Sequence, residues 1–288
     1  MSVTAPALRG SGLLYRLTRS KSGVAGFVLV MAIVVVTIVA PWFIDAPRAD
    51  ITQIWQAPSG EHLLGTDNAG RDIVDQVLRG GGTVIFVGFF AAALTTVIAV
   101  GLGALAAYLR GTVDSLLLQL TDVVMTIPQI VLLAVLGFFF QLSSPVYLAI
   151  LIGSLSWPIL MRSIRAQVLS LKEREFVEAA RLLDLGTARV VFVEIVPNMA
   201  GYIFINFIIA VTNAMYALVG LYVLGLAPME GNNWGIMIHT AWHQGAMSLP
   251  QAATYMLAPV AMIALFQLGL IMLTRSLEEV LNPRLSDG

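Results

Sequence analysis

The stretch Ser163–Pro197 reads SIRAQVLSLKEREFVEAARLLDLGTARVVFVEIVP, and it is the longest polar interval in an otherwise apolar chain. Apolar residues recur in it at spacings of three and four: Leu171, Phe176, Ala179, Ala180 and Leu183. This spacing predicts a short amphipathic helix. The stretch is too polar to cross lipid and too regular to be a plain linker. We therefore expect a helix that docks on a partner at the membrane surface.

Composition places the chain in a membrane. Of its 288 residues, 58% are hydrophobic and 11% are charged, whereas a soluble domain is about 45–50% apolar and about 25% charged. A chain of this length cannot hide so much apolar surface from water. The net charge of −1 argues against a nucleic-acid partner, which would require a basic face. The absence of cysteine excludes disulfides and thiol chemistry.

Six apolar stretches are long enough, or nearly so, to cross a bilayer, which takes roughly 20 residues. They are Gly23–Ile44, Thr83–Leu109, Ser115–Phe140, Pro145–Met161, Asn198–Leu226 and Ala252–Leu273. The first is too long for the apolar part of a signal peptide, so we interpret it as a retained span. The second is rich in Gly and Ala, which predicts a central position among the helices. The fourth is short and is expected to continue into the polar stretch. The fold class predicted is an all-α membrane protein with six transmembrane helices.

The distribution of Lys and Arg predicts the orientation of the chain. If the N-terminus is cytoplasmic, only Arg48, Arg71 and Arg79 fall in outer segments. The N-terminal segment 1–22, the central loop 163–197 and the tail 276–288 are then cytoplasmic. Segment 45–82 is then extracytoplasmic.

Segment 45–82 contains a second polar region with a helix signal. Asp67 or Asn68 is predicted to cap a helix that begins near Ala69. Ile73 and Val77 share a face of that helix, which favours a position along the outer membrane surface. A solvated loop is the alternative.

The outer segment 227–250 carries two Trp and two His. Trp234 and Trp242 are typical of an aromatic belt at the membrane interface. His239 and His243 have the spacing of a two-histidine metal site, but no third ligand or adjacent Glu accompanies them. No metal site is predicted.

One carboxylate lies inside the third span. Asp122 is costly there unless it is paired, and Arg162 and Arg165 at the end of the fourth span are the candidate partners. Pairing would tie the helices together, while a role in a proton or ion path is the alternative. Pro128 and Pro158 are expected to bend their helices.

The fifth span carries polar residues at helical spacing. Asn206 and Asn213 are seven residues apart and share a face. Together with Tyr216 they are candidates for a translocation pathway, and interhelical hydrogen bonding is an equal alternative.

Motifs for catalysis are absent from the sequence. It has no GxxxxGK[ST] nucleotide loop, no GxSxG and no HExxH. We expect neither an enzyme nor a bound cofactor. The rival classes are an ion-coupled secondary transporter that uses Asp122 and a membrane-embedded enzyme that uses the outer His pair.

Four motifs in this order resemble those of permease subunits of bacterial ABC importers, in the dipeptide/oligopeptide/nickel family and of its second-subunit type. They are HLLGTDNAGRD (62–72), Glu178-Ala179-Ala180 with Ile195-Val196-Pro197-Asn198 after a spacer, Asn233-Trp234-Gly235, and LEEVLNPRL (277–285). Asp184 stands at the glycine position of the family motif, and Gly186 follows two residues later. Because a left-handed backbone is disfavoured for L-residues, the turn after the helix is expected to be built differently here.

This resemblance implies a type I ABC importer permease fold, with a core over 83–275, in the inner membrane of a bacterium. It implies a homologous second permease chain, two ATPase subunits that hold ATP and Mg, and an extracytoplasmic solute-binding protein. The cargo would be a peptide or a similar small solute, with nickel or an oligosaccharide as alternatives. The residues implied in ATPase coupling are Phe176, Glu178, Ala179, Ala180, Leu183, Asp184, Gly186 and Pro197.

Overall fold

The computed structural model describes residues 20–140 and 144–281, and most of these residues are helical. The helices are α1 (Lys21–Phe43), α2 (Ile73–Leu109), α3 (Gly111–Thr126), α4 (Gln129–Phe140), α5 (Pro145–Leu155), α6 (Trp157–Leu171), α7 (Glu175–Leu182), α8 (Ala200–Val223), α9 (Trp234–His243) and α10 (Ala253–Leu281). A π-helical segment, Val190–Ile195, precedes α8. The predictions for residues 1–19 and for 282–288, including the end of the LEEVLNPRL motif, fall outside the described residues.

Four helices are long and apolar enough to cross a membrane: α1, α2, α8 and α10. Two further pairs pass the same test but are bent, α3 with α4 by 84° and α5 with α6 by 46°. If each bent pair counts as one span, the number is six, as predicted. Pro128 and Pro158 lie beside the two breaks, which confirms the predicted bends, because proline cannot donate the helical hydrogen bond at its position.

Helix α2 begins earlier than predicted, at Ile73 instead of Thr83, and continues unbroken for 37 residues. The predicted surface helix starting near Ala69 is therefore wrong, and so is its cap. Asp72 is the N-cap, and its Oδ1 accepts from the backbone N of Asp75 at 3.1 Å. At 1.5 Å per residue α2 is about 55 Å long, which exceeds a hydrocarbon core of about 30 Å. It is therefore longer than a single span requires.

Helix α2 lies at the centre of the bundle, as its small residues predict, and contacts α1, α5, α6 and α8. Alanines along it are fully buried, and a Cβ added to Gly103 would lie 2.6 Å from the Met161 carbonyl oxygen. One buried cluster surrounds the first part of α2, and a second surrounds its last part. The two ends of the bundle are named here the α9 end, where α2 begins, and the α7 end, where it finishes.

At the α9 end, a tryptophan fits into a notch on α2. Trp234 is fully buried, so its predicted place in an aromatic belt is wrong, whereas Trp242 is exposed. The Trp234 indole Nε1 donates to the Val77 carbonyl oxygen at 2.8 Å. A Cβ added to Gly81 would lie 2.5 Å from Trp234 Cζ2. The glycine is thus required inside a helix because the indole ring approaches the backbone so closely.

Separate substitutions of Gly81 and Gly82 should distinguish the effect of packing against Trp234 from the effect of helix propensity. Gly81→Ala forces a methyl group into Trp234, and overpacking of this kind costs about 1–3 kcal/mol. At Gly82 the nearest atom to an added Cβ is the Thr37 carbonyl oxygen at 3.8 Å. Gly82→Ala should therefore stabilise the helix by about 0.5–1 kcal/mol. Thermal unfolding of the purified variants in detergent measures both changes, and a stabilised Gly81→Ala variant would contradict the notch.

Candidate coupling surface and cavity

Helix α7 presents two different faces. Val177 and Ala180 are buried in the second cluster, which also contains Val190 and Val191 of the π-helical segment. The opposite side of α7 and the turn after it are exposed. The predicted apolar stripe is therefore divided, because Ala180 faces its own chain while the rest of the stripe on α7 faces outward.

The outward face combines apolar side chains with carboxylates. Phe176 is 37% exposed and Leu183 is 73% exposed. Ala179 and Glu178 are exposed beside them, and Glu178 forms no ion pair with any described residue. Exposed apolar residues rimmed by charge are typical of an interaction surface. We name Phe176, Glu178, Ala179 and Leu183 the outward face of α7.

The turn after α7 keeps a left-handed residue, and that residue is Asp184 with φ +53°. The expectation that Asp184 requires a differently built turn is wrong. The backbone N of Leu185 donates to the Ala180 oxygen at 3.2 Å, and the N of Asp184 donates to the Arg181 oxygen at 2.9 Å. This pair of bonds is a Schellman motif, in which glycine usually holds the left-handed position. Asp tolerates that position better than most L-residues.

The two remaining positions implied in coupling lie further along the exposed side of this segment. Gly186 is exposed, with φ −57°, and it directly precedes a short helical turn, Thr187–Arg189. Pro197 is exposed near the start of α8. Neither belongs to the outward face of α7, so the structure does not bring all the implied residues onto one surface.

Three contacts fasten the segment around α7 to the end of α2. The Lys172 ammonium is buried and donates to the Ala107 carbonyl oxygen at 2.7 Å. The Arg181 guanidinium lies 5.4 Å from the centre of the Tyr108 ring. A third contact joins the Arg110 and Glu173 side chains at 3.2 Å.

Burial lowers the pKa of the Lys172 ammonium below its ordinary value, and repulsion from Arg110 adds to the effect. The hydrogen bond to Ala107 offsets part of that cost, because Ala107 is in the last turn of α2 and its oxygen has no partner within the helix. Nothing in the local sequence pattern distinguishes Lys172 from the other basic residues around it.

Asp122 pairs with Arg162, one of its two predicted partners. Arg162 Nη2 donates to Asp122 Oδ1, and Arg162 Nε donates to Thr121 Oγ1 at 2.8 Å. Arg165 is not a partner of Asp122. It instead holds Asp114 with two hydrogen bonds, at 2.5 and 2.6 Å. A bidentate Arg–carboxylate pair is directional, so these contacts fix α3 against α6.

Asn206, Asn213 and Tyr216 lie on one side of α8 and line the same cavity, of about 520 Å³. Its other walls come from α2, α4 and α6. The lining residues are Thr95, Gln129, Ile130, Leu133, Ser156, Ile159, Leu160, Ser163, Asn206, Ile209, Ala210, Asn213, Tyr216 and Ala217. Hydroxyl and amide groups alternate there with apolar ones, and the lining so described contains no charged residue and no histidine.

The polar side chains of α8 differ in their hydrogen bonds. Asn206 Nδ2 donates to the Tyr202 oxygen of its own helix at 2.9 Å. Tyr216 forms a hydrogen bond across to Gln267 of α10. The exposed Asn213 side chain makes no hydrogen bond to any described residue. Interhelical bonding thus accounts for Tyr216, while the Asn213 amide lines the cavity without a hydrogen-bond partner among the described residues.

Residues 99–287 match the family described as binding-protein-dependent transport system inner membrane component. The chain belongs to this family. A Brucella suis protein named as a peptide permease is 30% identical over 98% of this chain and 92% of its own length. The dipeptide transport system permease protein DppC of Alkalihalophilus pseudofirmus is 30% identical and the oligopeptide transport system permease protein OppC of Bacillus subtilis is 28% identical, each over 94% of this chain and 88% of its own.

The family identifies the chain as a multi-pass permease subunit of the inner membrane, in agreement with the predicted fold class, function and location. Members are non-catalytic membrane components of transporters. The match covers α7 and the cavity-lining parts of α4, α6 and α8.

In this permease the HLLGTDNAGRD motif forms a hydrogen-bonded loop around a buried carboxylate at the α9 end. Asp67 is fully buried, and its carboxylate accepts from the backbone N of Ala69 and of Arg71 at 2.8 and 2.9 Å. It also pairs with the Arg71 guanidinium at 2.7 Å and accepts from Gln76 Nε2 at 3.1 Å. His62 Nδ1 contacts the carboxylate of the helix cap Asp72 at 2.8 Å. The motif therefore fixes the outer segment onto the start of α2.

The two outer histidines of the permease lie together, with ring centres 4.2 Å apart. His239 Nδ1 lies 3.1 Å from the Val223 carbonyl oxygen, so this contact engages one of the two ring nitrogens of His239. Among residues 20–140 and 144–281, no group of three or more His, Cys, Asp or Glu is placed to hold a metal ion.

The left-handed turn at Asp184 should respond to substitution according to backbone preference. Asp184→Gly should be neutral or stabilising, because glycine adopts φ +53° without steric cost. Asp184→Val should destabilise the turn by about 1–2 kcal/mol, because its Cβ is branched. Hydrogen exchange of the amides of Asp184 and Leu185 in the purified permease measures the change. Faster exchange in the Gly variant than in the Val variant would contradict the Schellman geometry.

Proposed function

We propose that this permease forms half of the translocation pathway of an ATP-driven importer, and that the outward face of α7 docks on a cytoplasmic ATPase. The observation that carries the proposal is the exposed combination of Phe176, Leu183 and Glu178 on a helix that is fastened to α2. Apolar anchors with an adjacent charge are the usual centre of a protein interface. Ala179 lets the partner approach closely because its side chain is small.

The other subunits of the importer follow from this assignment. A homologous second permease chain completes the pathway, two ATPase subunits bind ATP and Mg, and an extracytoplasmic solute-binding protein delivers the cargo. The chain crosses the membrane six times with both termini in the cytoplasm. The Lys/Arg distribution supports this orientation, since Lys172, Arg174, Arg181 and Arg189 lie together at the α7 end.

Coupling works through contacts that differ between two states of the transporter. A movement of the ATPase displaces α7, and the Lys172 and Arg181 contacts transmit it to the end of α2. Helix α6 leads directly into the same segment and contributes Ile159, Leu160 and Ser163 to the cavity. Displacement of α6 against α8 therefore changes the width of the cavity.

The cavity lining favours a peptide or a similar small neutral solute as cargo. Amide and hydroxyl side chains such as Asn213 and Gln129 exchange hydrogen bonds with peptide groups without imposing a charge. A nickel ion would prefer imidazole or thiolate ligands, and the cavity lining presents neither. The relatives named as dipeptide and oligopeptide permeases support the same choice.

Disruption of the outward face should uncouple transport while the chain still inserts. Ala179→Asp places a charge between the apolar anchors, and Phe176→Ala removes one anchor, a loss of about 2 kcal/mol or more at an interface hot spot. Both variants should release the ATPase subunits on purification and lower uptake at least tenfold. Ala188→Asp is the matched control, because Ala188 is exposed in the same loop beyond the turn at Asp184.

Uptake of a labelled dipeptide by whole cells and the ATPase content of the purified complex are measured together. Wild-type uptake by Ala179→Asp would contradict the docking assignment. Equal losses in Ala179→Asp and Ala188→Asp would show that docking is not centred on this face.

Replacement of Asn213 should affect cargo without affecting assembly. Asn213→Leu removes an unpaired amide from the cavity wall at nearly constant volume, so uptake should fall severalfold while the ATPases remain bound. Ile209→Leu on the same wall conserves both volume and polarity and should leave uptake close to wild type. Unchanged uptake by Asn213→Leu would argue that cargo passes elsewhere.

A further inference from the structure

A long groove runs along the membrane face of the permease between α1 and α2. Its apolar part has a volume of about 600 Å³, which is within the range of about 300–1,000 Å³ that holds a drug-sized ligand. Phe86, Phe89, Phe90 and Phe207 supply much of its wall. The polar side chain described in this wall, Thr37, donates its hydroxyl back to the carbonyls of Ile33 and Val34.

A second, polar pocket of about 330 Å³ lies at the α9 end of the same two helices. Its lining combines residues of α1 and α2 with the loop residues Ala46, Pro47, Arg71, Gly231 and Asn232. On α1, Pro41 lines the polar pocket, and Thr37 and Ile38 line the apolar groove. On α2, Arg79 lines the polar pocket, and Gly82 and Phe86 line the apolar groove. Residues three, four and seven apart share a helix face. The polar pocket therefore adjoins the α9 end of the apolar groove.

The guanidinium of Arg79 is only partly used by the protein. Its Nη1 donates to the carbonyl oxygens of Pro41 and Ile44, which closes the end of α1. Its remaining N–H groups have no protein acceptor, and no carboxylate lies within ion-pair distance, among the described residues. An arginine with spare donors suits a phosphate, which it can bind through two parallel hydrogen bonds.

Exposed aromatic residues place Arg79 at the boundary of the hydrocarbon. Trp42 and Phe43, at the end of α1, are 79% and 81% exposed. Aromatic side chains of this kind are enriched at the level of the lipid headgroups. The apolar groove then extends from that level toward the bilayer centre.

We propose that this groove is a binding site for a membrane glycerophospholipid, with its phosphate on Arg79 and one acyl chain between Ile38 and Phe86. The charge of Arg79 complements the phosphate, and the aromatic wall complements the chain. An occupant of this kind would seal the gap between α1 and α2, since α1 is otherwise held mainly by α10. The site lies apart from both α7 and the cavity, and it does not depend on the proposed function.

The test uses the complete importer, purified in mild detergent and washed to remove loosely held lipid. Native mass spectrometry then counts the phospholipid molecules retained per complex. Ala93→Phe fills the inner end of the groove, and Val97→Phe is its control, because Val97 is 70% exposed one turn further along α2 and outside the lining. Arg79→Gln removes the phosphate contact, with the exposed Arg48→Gln as its control.

The wild type, Val97→Phe and Arg48→Gln should retain one phospholipid at this site. Ala93→Phe and Arg79→Gln should each lower its occupancy at least about tenfold, as expected for loss of a charged hydrogen bond or of the space itself. Equal occupancy in all five proteins would overturn the proposal. A washed wild-type complex without phospholipid would also overturn it.

Discussion

The hydrogen bond from the buried ammonium of Lys172 to the carbonyl of Ala107 joins the segment around α7 to the end of the central helix α2. Each group needs the other. A buried ammonium is costly without an acceptor, and the last carbonyls of a helix have no partner within it. The bond is 2.7 Å long, and it places the segment before α7 directly against the end of the central helix. The arrangement of the α7 end follows from that contact.

The central helix α2 is held at its other end as well, so both of its ends are fixed against the rest of the chain. There the indole of Trp234 bonds to Val77 and lies on Gly81. Between the two ends, small residues let α5, α6 and α8 approach the helix backbone closely. Packing of this kind stabilises helices in lipid, where burial of apolar surface gives no advantage. A helix so tightly enclosed cannot shift without moving its neighbours.

The sequence predicts those features that depend on local composition or periodicity. Hydropathy gives the spans, the two prolines give the bends, and the seven-residue spacing of Asn206 and Asn213 gives the cavity wall. The spacing around Phe176 predicts the helix α7, but not which of its sides is buried against the rest of the chain. Ala179 and Ala180 are adjacent alanines, and the sequence does not tell which of them is exposed. Only the packing of Ala180 in the cluster that contains Val190 and Val191 shows that Ala180 faces inward and Ala179 outward.

The features that escaped prediction depend on residues far away in the chain. Three glycines in a row around Gly81 argue against a helix interior when read locally, and only the position of Trp234 explains them. Asp114 is unremarkable until Arg165 is placed beside it. The left-handed conformation of Asp184 is likewise set by the closure of its turn, since glycine would be the local preference. In each case the tertiary partner decides the outcome.

Helix α7 has eight residues, fewer than the roughly 12–15 that an isolated helix needs to be even marginally stable in water. Its shape therefore exists only where Val177 and Ala180 have packed onto the rest of the chain. A permease that has not completed its fold presents a flexible loop at this point and no helix. If α7 docks on an ATPase as proposed, a subunit that has not folded at this point lacks the docking surface and does not recruit the ATPase.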